Sequence, residues 1–95
     1  MLVGVLSIHL AIPADTLKEK RTVVKSVLER VRHRFNAAAA EVDALDDPGH
    51  ARLAICCVSN EAKHLDSQLQ TIANAVQEWR LDVEVLAIET EILTI

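Results

Sequence analysis

Apolar residues along this chain are spaced first as in a strand and then as in a helix, and the order of these spacings limits the possible folds. Residues 2–12 alternate between heavy aliphatic and lighter positions, which predicts a strand whose aliphatic side faces the core. Residues 17–35 instead carry apolar side chains at helical spacing, and Asp15 or Thr16 offers the N-cap oxygen. A strand followed by a long amphipathic helix is therefore predicted.

The remainder of the chain continues the same pattern. Residues 37–43 predict a short second strand, and a turn rich in Asp, Pro and Gly leads into a third strand over 51–58. A second helix follows, with Leu65, Leu69, Ile72, Val76 and Trp79 as its apolar stripe. Residues 83–95 are rich in β-branched side chains and predict a fourth strand.

The element order βαββαβ leaves few topologies, because both crossovers must be right-handed and both helices must cover the same sheet face. We therefore predict an α+β, ferredoxin-like two-layer sandwich with a four-stranded antiparallel sheet. Its 95 residues form one domain, and a hydrophobic content of 51% supplies a core without metal or disulfides. The other sheet face is expected to remain open.

Cysteine usage and hydropathy indicate a cytoplasmic protein. Cys56 and Cys57 are adjacent, so their side chains point to opposite faces of a strand, and we expect two free thiols in a reducing compartment. The apolar stretch over 2–12 is too short to span a bilayer and lacks the features of a signal peptide. No membrane partner is expected.

Charge is strongly segregated along the chain. Residues 17–35 hold seven of the ten Lys and Arg against Glu19 and Glu29, a local +5, whereas the other segments hold three against twelve Asp and Glu, which gives −9. Four cations share one stripe beside the buried face of the first helix: Lys18, Arg21, Lys25 and Arg32. Lys20 and Arg34 flank its other side.

Two interpretations of this stripe remain open. It either contacts the phosphates of structured RNA or of a ribosomal subunit, or it is an ordinary solvated helix face. Sheets of this topology usually stack RNA bases on exposed aromatic side chains, but Phe35 and Trp79 both belong to helical core stripes. Any RNA contact is therefore expected through the nucleic-acid backbone.

The open sheet face provides the alternative function, a self-associating interaction module. Its lighter positions would leave an apolar patch in water, which monomers rarely tolerate. We expect the following residues to contribute to a homodimer: Val3, Val5, Ala54, Cys56 and Val58. The long fourth strand offers a second route through edge pairing.

The remaining polar residues do not predict an enzyme. His9, His33, His50 and His64 are spread over four elements, without a serine, cysteine or carboxylate that the sequence places as a partner. Glu41, Asp43, Asp46, Asp47 and His50 gather possible ligands for a hard cation around one loop, but their spacing matches no defensible motif. We therefore expect no catalytic residues, no metal site and no cofactor.

Several short segments resemble the YlxP-like family of small bacterial proteins, a domain of unknown function. The matching segments are Val3-Gly4-Val5-Leu6, Thr16-Leu17-Lys18-Glu19-Lys20-Arg21, Phe35-Asn36, Ala40-Glu41-Val42-Asp43, Val58-Ser59-Asn60 and Glu89-Thr90-Glu91-Ile92. The resemblance covers nearly the whole chain and departs between residues 43 and 52, where an aromatic residue is common in the family. It implies a ferredoxin-like fold and, for many members, genes placed among those for transcription elongation and translation initiation. It implies no established activity.

Overall fold

The computed structural model of the chain describes residues 1–79 and 82–95. Its elements follow the order βαββαβ: β1 (Leu2–Ala11), α1 (Leu17–Arg34), β2 (Ala38–Asp43), β3 (His50–Ser59), α2 (Ala62–Trp79) and β4 (Glu84–Thr94). The predicted elements are all present, and their ends shift by only one or two residues. The predicted ferredoxin-like α+β fold is thus confirmed.

The four strands form one antiparallel sheet in the order β2-β3-β1-β4. The even-numbered side chains of β1 face the helices, and Leu6, Ile8 and Leu10 are completely buried there. They lie beside Ile55, Leu53 and Ala51 of β3 in the antiparallel register. Directly paired residues of neighbouring strands point to the same face of the sheet. One face of the sheet therefore packs against the helices, and the other face has no helix on it.

The helices begin and end as their local sequences predict. Thr16 is the N-cap of α1, and its hydroxyl accepts a hydrogen bond from the Glu19 amide at 3.2 Å. The Glu19 carboxylate in turn accepts one from the Asp15 amide at 3.3 Å, which satisfies a second free N–H group at the helix start. At the other end the Phe35 amide donates to the Val31 carbonyl, and the chain then turns into β2.

Both helices contribute apolar side chains to one core. α1 buries Val24, Val27 and Val31, while α2 buries an uninterrupted stripe along the same face of the sheet: Leu65, Leu69, Ile72, Ala73 and Val76. α2 approaches β1 so closely that a Cβ atom added at Gly4 would lie 2.8 Å from Leu65 Cγ. The glycine is therefore needed for close packing of the helix on the strand.

β4 is an edge strand that the rest of the molecule covers poorly. All of its residues are exposed except Val85, which is half-buried. Exposed aliphatic side chains occur on both sides of the strand, among them Leu86, Ile88, Ile92 and Leu93. The register against β1 shifts between His9 and Leu10, which places an irregularity next to Leu86.

Candidate nucleic-acid interface

The four cations predicted to contact RNA are all exposed on α1: Lys18, Arg21, Lys25 and Arg32. The guanidinium of Arg32 donates a hydrogen bond to the Ala39 carbonyl, so this side of α1 borders the edge strand β2. The four residues form what we call the basic stripe. It runs along the β2 edge of the molecule rather than between the helices.

Two members of the basic stripe have partners within the chain. Lys25 Nζ lies 3.9 Å from Glu29 Oε1, and both side chains are more than half exposed, so this ion pair contributes little stability and leaves the ammonium available. The Arg32 side chain is more constrained, because its guanidinium is hydrogen-bonded to the Ala39 carbonyl of the edge strand β2. Lys18 and Arg21 form no ion pair among residues 1–79 and 82–95.

Lys20 has an environment different from the one expected. Its helical position predicts that it flanks the side of the buried face opposite the basic stripe, but its side chain is completely buried. Its Nζ atom donates hydrogen bonds to the carbonyls of Ala44 at 2.7 Å, His50 at 3.1 Å and Leu45 at 3.3 Å. Lys20 therefore cannot contact an external phosphate.

A carboxylate completes the Lys20 site. Glu41 Oε2 lies 2.9 Å from Lys20 Nζ, an ion-pair distance, although it makes no well-aligned hydrogen bond with it. The helical spacing indicated only the burial of Lys20, because it falls at about 300° from Leu17, inside the arc of buried valines. Its partner was not evident, since Glu41 lies on a different element.

The acidic loop between β2 and β3 is organised by hydrogen bonds. Asp47 Oδ1 accepts from the Gly49 amide at 2.9 Å, and Asp47 Oδ2 lies 3.0 Å from His50 Nδ1. The Gly49 amide and then the His50 ring lower the pKa of the Asp47 carboxyl. Among residues 1–79 and 82–95, no three His, Cys, Asp or Glu side chains are arranged to hold a metal ion.

A second group of cations surrounds two aromatic rings where the last turns of α1 and α2 meet. The Phe35 and Trp79 rings are stacked with their centroids 6.3 Å apart and their planes at 30°. Arg30 Cζ lies 5.8 Å from the Trp79 ring centroid, and Arg34 Cζ lies 5.7 Å from that of Phe35. Both rings pack against the core, as predicted, but they are only half-buried, and their stacking on each other was not predicted.

The open sheet face brings together the residues predicted for self-association. Val3 lies beside Val58, Val5 beside Cys56, and Ala54 beside Ser7 in the β1–β3 register. Val58 is 64% exposed, whereas the other four predicted residues are half-buried. Leu93 of β4 is next to Val3 and extends this apolar corner, which Glu89 and Glu91 border.

The two cysteines point to opposite sides of β3, as expected, and both are free thiols. Cys56 lies on the open sheet face, while Cys57 is 2% exposed in the core. Burial, and secondarily the neighbouring Cys56, raises the pKa of the Cys57 thiol. His9 and His50 also meet on the open face, with ring centroids 6.3 Å apart.

None of the described helices is both long and apolar enough to cross a membrane.

Two solved structures share the fold. The first, the solution NMR structure of a de novo designed protein with a ferredoxin fold, is 21% identical with a TM-score of 0.59, and the match covers 99% of this chain and 87% of the design. The second, the de novo designed protein Foldit4, is 14% identical with a TM-score of 0.55 and covers 97% of each chain.

Comparison of amino-acid sequences identifies a bacterial relative of this chain and the family to which it belongs. The uncharacterized protein YlxP of Bacillus subtilis (strain 168) is 34% identical over 59 residues, which are 62% of this chain and 64% of the relative's length. The family described as "Protein of unknown function (DUF503)" matches residues 3–90. Because that match spans nearly every element of the fold, the chain belongs to the DUF503 family of proteins of unknown function.

Proposed function

We propose that the chain is a non-enzymatic accessory protein that binds structured RNA, free or within a ribosomal subunit, through the basic stripe on α1. The observation that carries the proposal is the exposure of all four stripe residues along one edge of the molecule. Glu29, with its weak contact to Lys25, is the only carboxylate within an ion-pair distance of a stripe residue among residues 1–79 and 82–95. A row of solvated cations can neutralise successive phosphates.

The distribution of the remaining charge supports the same orientation. The sheet edge opposite β2 is acidic, because Glu84, Glu89 and Glu91 are exposed on β4. The exposed carboxylates near β2 lie at its end and in the loop after it: Asp43, Asp46 and Asp47. A polyanion would be repelled from the β4 edge and attracted to the stripe. The protein would therefore meet RNA with α1 first, and phosphate contacts of this kind fix orientation without reading base sequence.

Salt dependence tests the proposal. With about four phosphates neutralised, the logarithm of the affinity for a ribosomal RNA duplex should fall with the logarithm of salt concentration at a slope of about −3 to −4, measured between about 50 and 200 mM salt. Lys25→Glu should weaken binding roughly 10-fold and equally for all duplex sequences. Lys63→Glu, an equal change of charge at an exposed position of α2, is the matched control.

The double variant Lys18→Glu/Lys25→Glu extends the test without touching Arg32, whose hydrogen bond to β2 would complicate its replacement. It should bind RNA more weakly than Lys25→Glu alone. Equal affinities for the Lys25 and Lys63 variants, or binding that does not respond to salt, would show that the basic stripe is an ordinary solvated helix face.

The second candidate function is self-association through the open sheet face. The observation that favours it is the contiguous apolar corner formed by Val3, Val5, Cys56 and Val58, which no helix covers. Burial of such a corner against a second copy would remove apolar surface from water. This function is compatible with RNA binding, because the basic stripe lies on the helix layer.

A further inference from the structure

We propose that the pocket between the last turns of α1 and α2 binds a nucleoside phosphate, with the base against Trp79 and the phosphate held by Arg30 and Arg34. The pocket is lined by Arg30, His33, Arg34 and Trp79 and has a volume of about 380 Å³. This volume lies within the range of about 300 to 1,000 Å³ that small-molecule sites occupy. The proposal does not depend on RNA binding by the basic stripe.

The aromatic part of the pocket suits a flat ligand. Phe35 stacks on Trp79, so the indole is held in a fixed orientation by an element other than its own. Trp79 nevertheless remains half-exposed and lines the pocket. Aromatic side chains held in this way are the surfaces on which nucleic-acid bases stack, and the interaction tolerates any base because every base has a π face.

The cationic part of the pocket suits a phosphate. The guanidiniums of Arg30 and Arg34 each lie over an aromatic ring, and neither forms an ion pair with a carboxylate among residues 1–79 and 82–95. No acidic residue is among the described residues that line the pocket. A planar guanidinium both stacks on rings and donates paired hydrogen bonds to a phosphate, so each arginine can serve the base and the phosphate together.

The surroundings of the pocket favour a nucleotide within RNA over a free one. A second depression on α1 is lined by Thr22, Lys25, Ser26, Glu29, Arg30 and His33. It shares Arg30 and His33 with the pocket and reaches Lys25 of the basic stripe. An unpaired nucleotide seated on Trp79 would therefore place its neighbouring phosphates along exposed cations.

Intrinsic fluorescence provides a direct test, because Trp79 is the single tryptophan of the chain. Titration with adenosine 5′-monophosphate should change the emission of Trp79 saturably, while adenosine and ribose 5-phosphate, which each lack one half of the ligand, should bind more weakly. If RNA is the source of the nucleotide, single-stranded oligoadenylate should change the Trp79 emission at a lower concentration than the monophosphate does. An equal change in emission per nucleotide would identify a free nucleotide instead.

Variants separate the pocket from the basic stripe. Arg30→Gln/Arg34→Gln should weaken binding of adenosine monophosphate roughly 10-fold. Arg52→Gln/Lys63→Gln, which removes the same charge outside both the pocket and the basic stripe, should not. In calorimetric titrations Trp79→Phe should retain most of the affinity, whereas Trp79→Ala should lose roughly 5- to 100-fold.

The result that would overturn the proposal is the absence of saturable binding by both the monophosphate and the oligonucleotide. Equal affinities for Arg30→Gln/Arg34→Gln and its matched control would overturn it as well, even if Trp79→Ala does not fold. The Lys18→Glu/Lys25→Glu variant should lose affinity for duplex RNA while retaining its affinity for adenosine monophosphate. Failure of the pocket and failure of the proposed RNA interface are therefore distinguishable.

Discussion

Lys20 shows at the scale of one residue how a charged side chain stabilises a loop from inside the protein. Its three N–H donors face three carbonyl oxygens and one carboxylate, all between residues 41 and 50. The nearest carbonyl belongs to Ala44, whose φ of 59° is in the left-handed region that alanine rarely adopts. The hydrogen bond from Lys20 helps to offset the cost of that conformation.

Lys20→Met should lower the free energy of unfolding by about 3 to 5 kcal/mol, because it leaves Glu41 without its buried partner and the three carbonyls without their donor. Lys25→Met, which removes only an exposed ion pair, should cost about 1 kcal/mol or less. Urea denaturation of both variants measures the difference. Similar losses for the two would contradict the structural role of Lys20.

Asp47 gives the turn between β2 and β3 a pH dependence. Hydrogen bonds from Gly49 and His50 lower the pKa of its carboxyl below the ordinary 3.8, so the ionised form is favoured in the folded state. The resulting stability is fully present above that ordinary value and is lost as the pH falls through the folded pKa. Asp47→Ala should therefore be less stable than the wild type near neutral pH and approach it in acid.

Urea unfolding of Asp47→Ala and the wild type, at points between about pH 6 and pH 2.5, checks this convergence. Asp46→Ala is the control, because the Asp46 side chain is exposed and makes no hydrogen bond among the described residues. A difference between Asp47→Ala and the wild type that stays constant with pH would show that Asp47 contributes nothing through its ionised form.

At the scale of elements, the packing of α2 on β1 depends on the missing side chain at position 4. A Cβ atom at Gly4 would lie 2.8 Å from Leu65 Cγ and 3.0 Å from Leu69 Cδ1, and both leucines are completely buried. Gly4→Ala should therefore destabilise the protein by about 1 to 3 kcal/mol, measured as a lowered midpoint of urea or thermal unfolding.

Gly49→Ala is the matched control for this prediction. A Cβ atom there would meet only Asp47 Oδ1 at 3.6 Å, an ordinary contact, and no glycine of the chain has a positive φ. The substitution should change stability by less than about 1 kcal/mol. Equal destabilisation by the two substitutions would mean that α2 adjusts to a methyl group without cost.

The elements were predictable from the sequence because each depends on a local pattern. Alternation in β1 and the apolar stripe of α2 each lie within one segment, and the structure places their ends within one or two residues of the prediction. The contacts of Lys20 and the stacking of Phe35 on Trp79 were not predictable, because each joins residues on different elements. The basic stripe itself was visible because it needs only the geometry of one helix.

At the scale of the whole molecule, the open sheet face leads to a prediction about oligomeric state. We expect sedimentation of the wild type at about 100 μM to show a species larger than the monomer, with a size that depends on concentration. Val58→Lys should shift the protein towards the monomer without lowering its stability, because Val58 is already 64% exposed. A purely monomeric wild type at this concentration would contradict self-association through this face.

The contacts of Lys20 also determine where the chain tolerates lengthening or cutting. Exposed polar loops usually accept inserted domains and protease cleavage. The loop between β2 and β3 is exposed at Asp46 and Asp47, yet carbonyls on both sides of these residues bind one amino group that α1 supplies. A tag inserted there would pull those carbonyls apart and loosen the first turn of α1, so this hairpin is a poor site for labels or circular permutation.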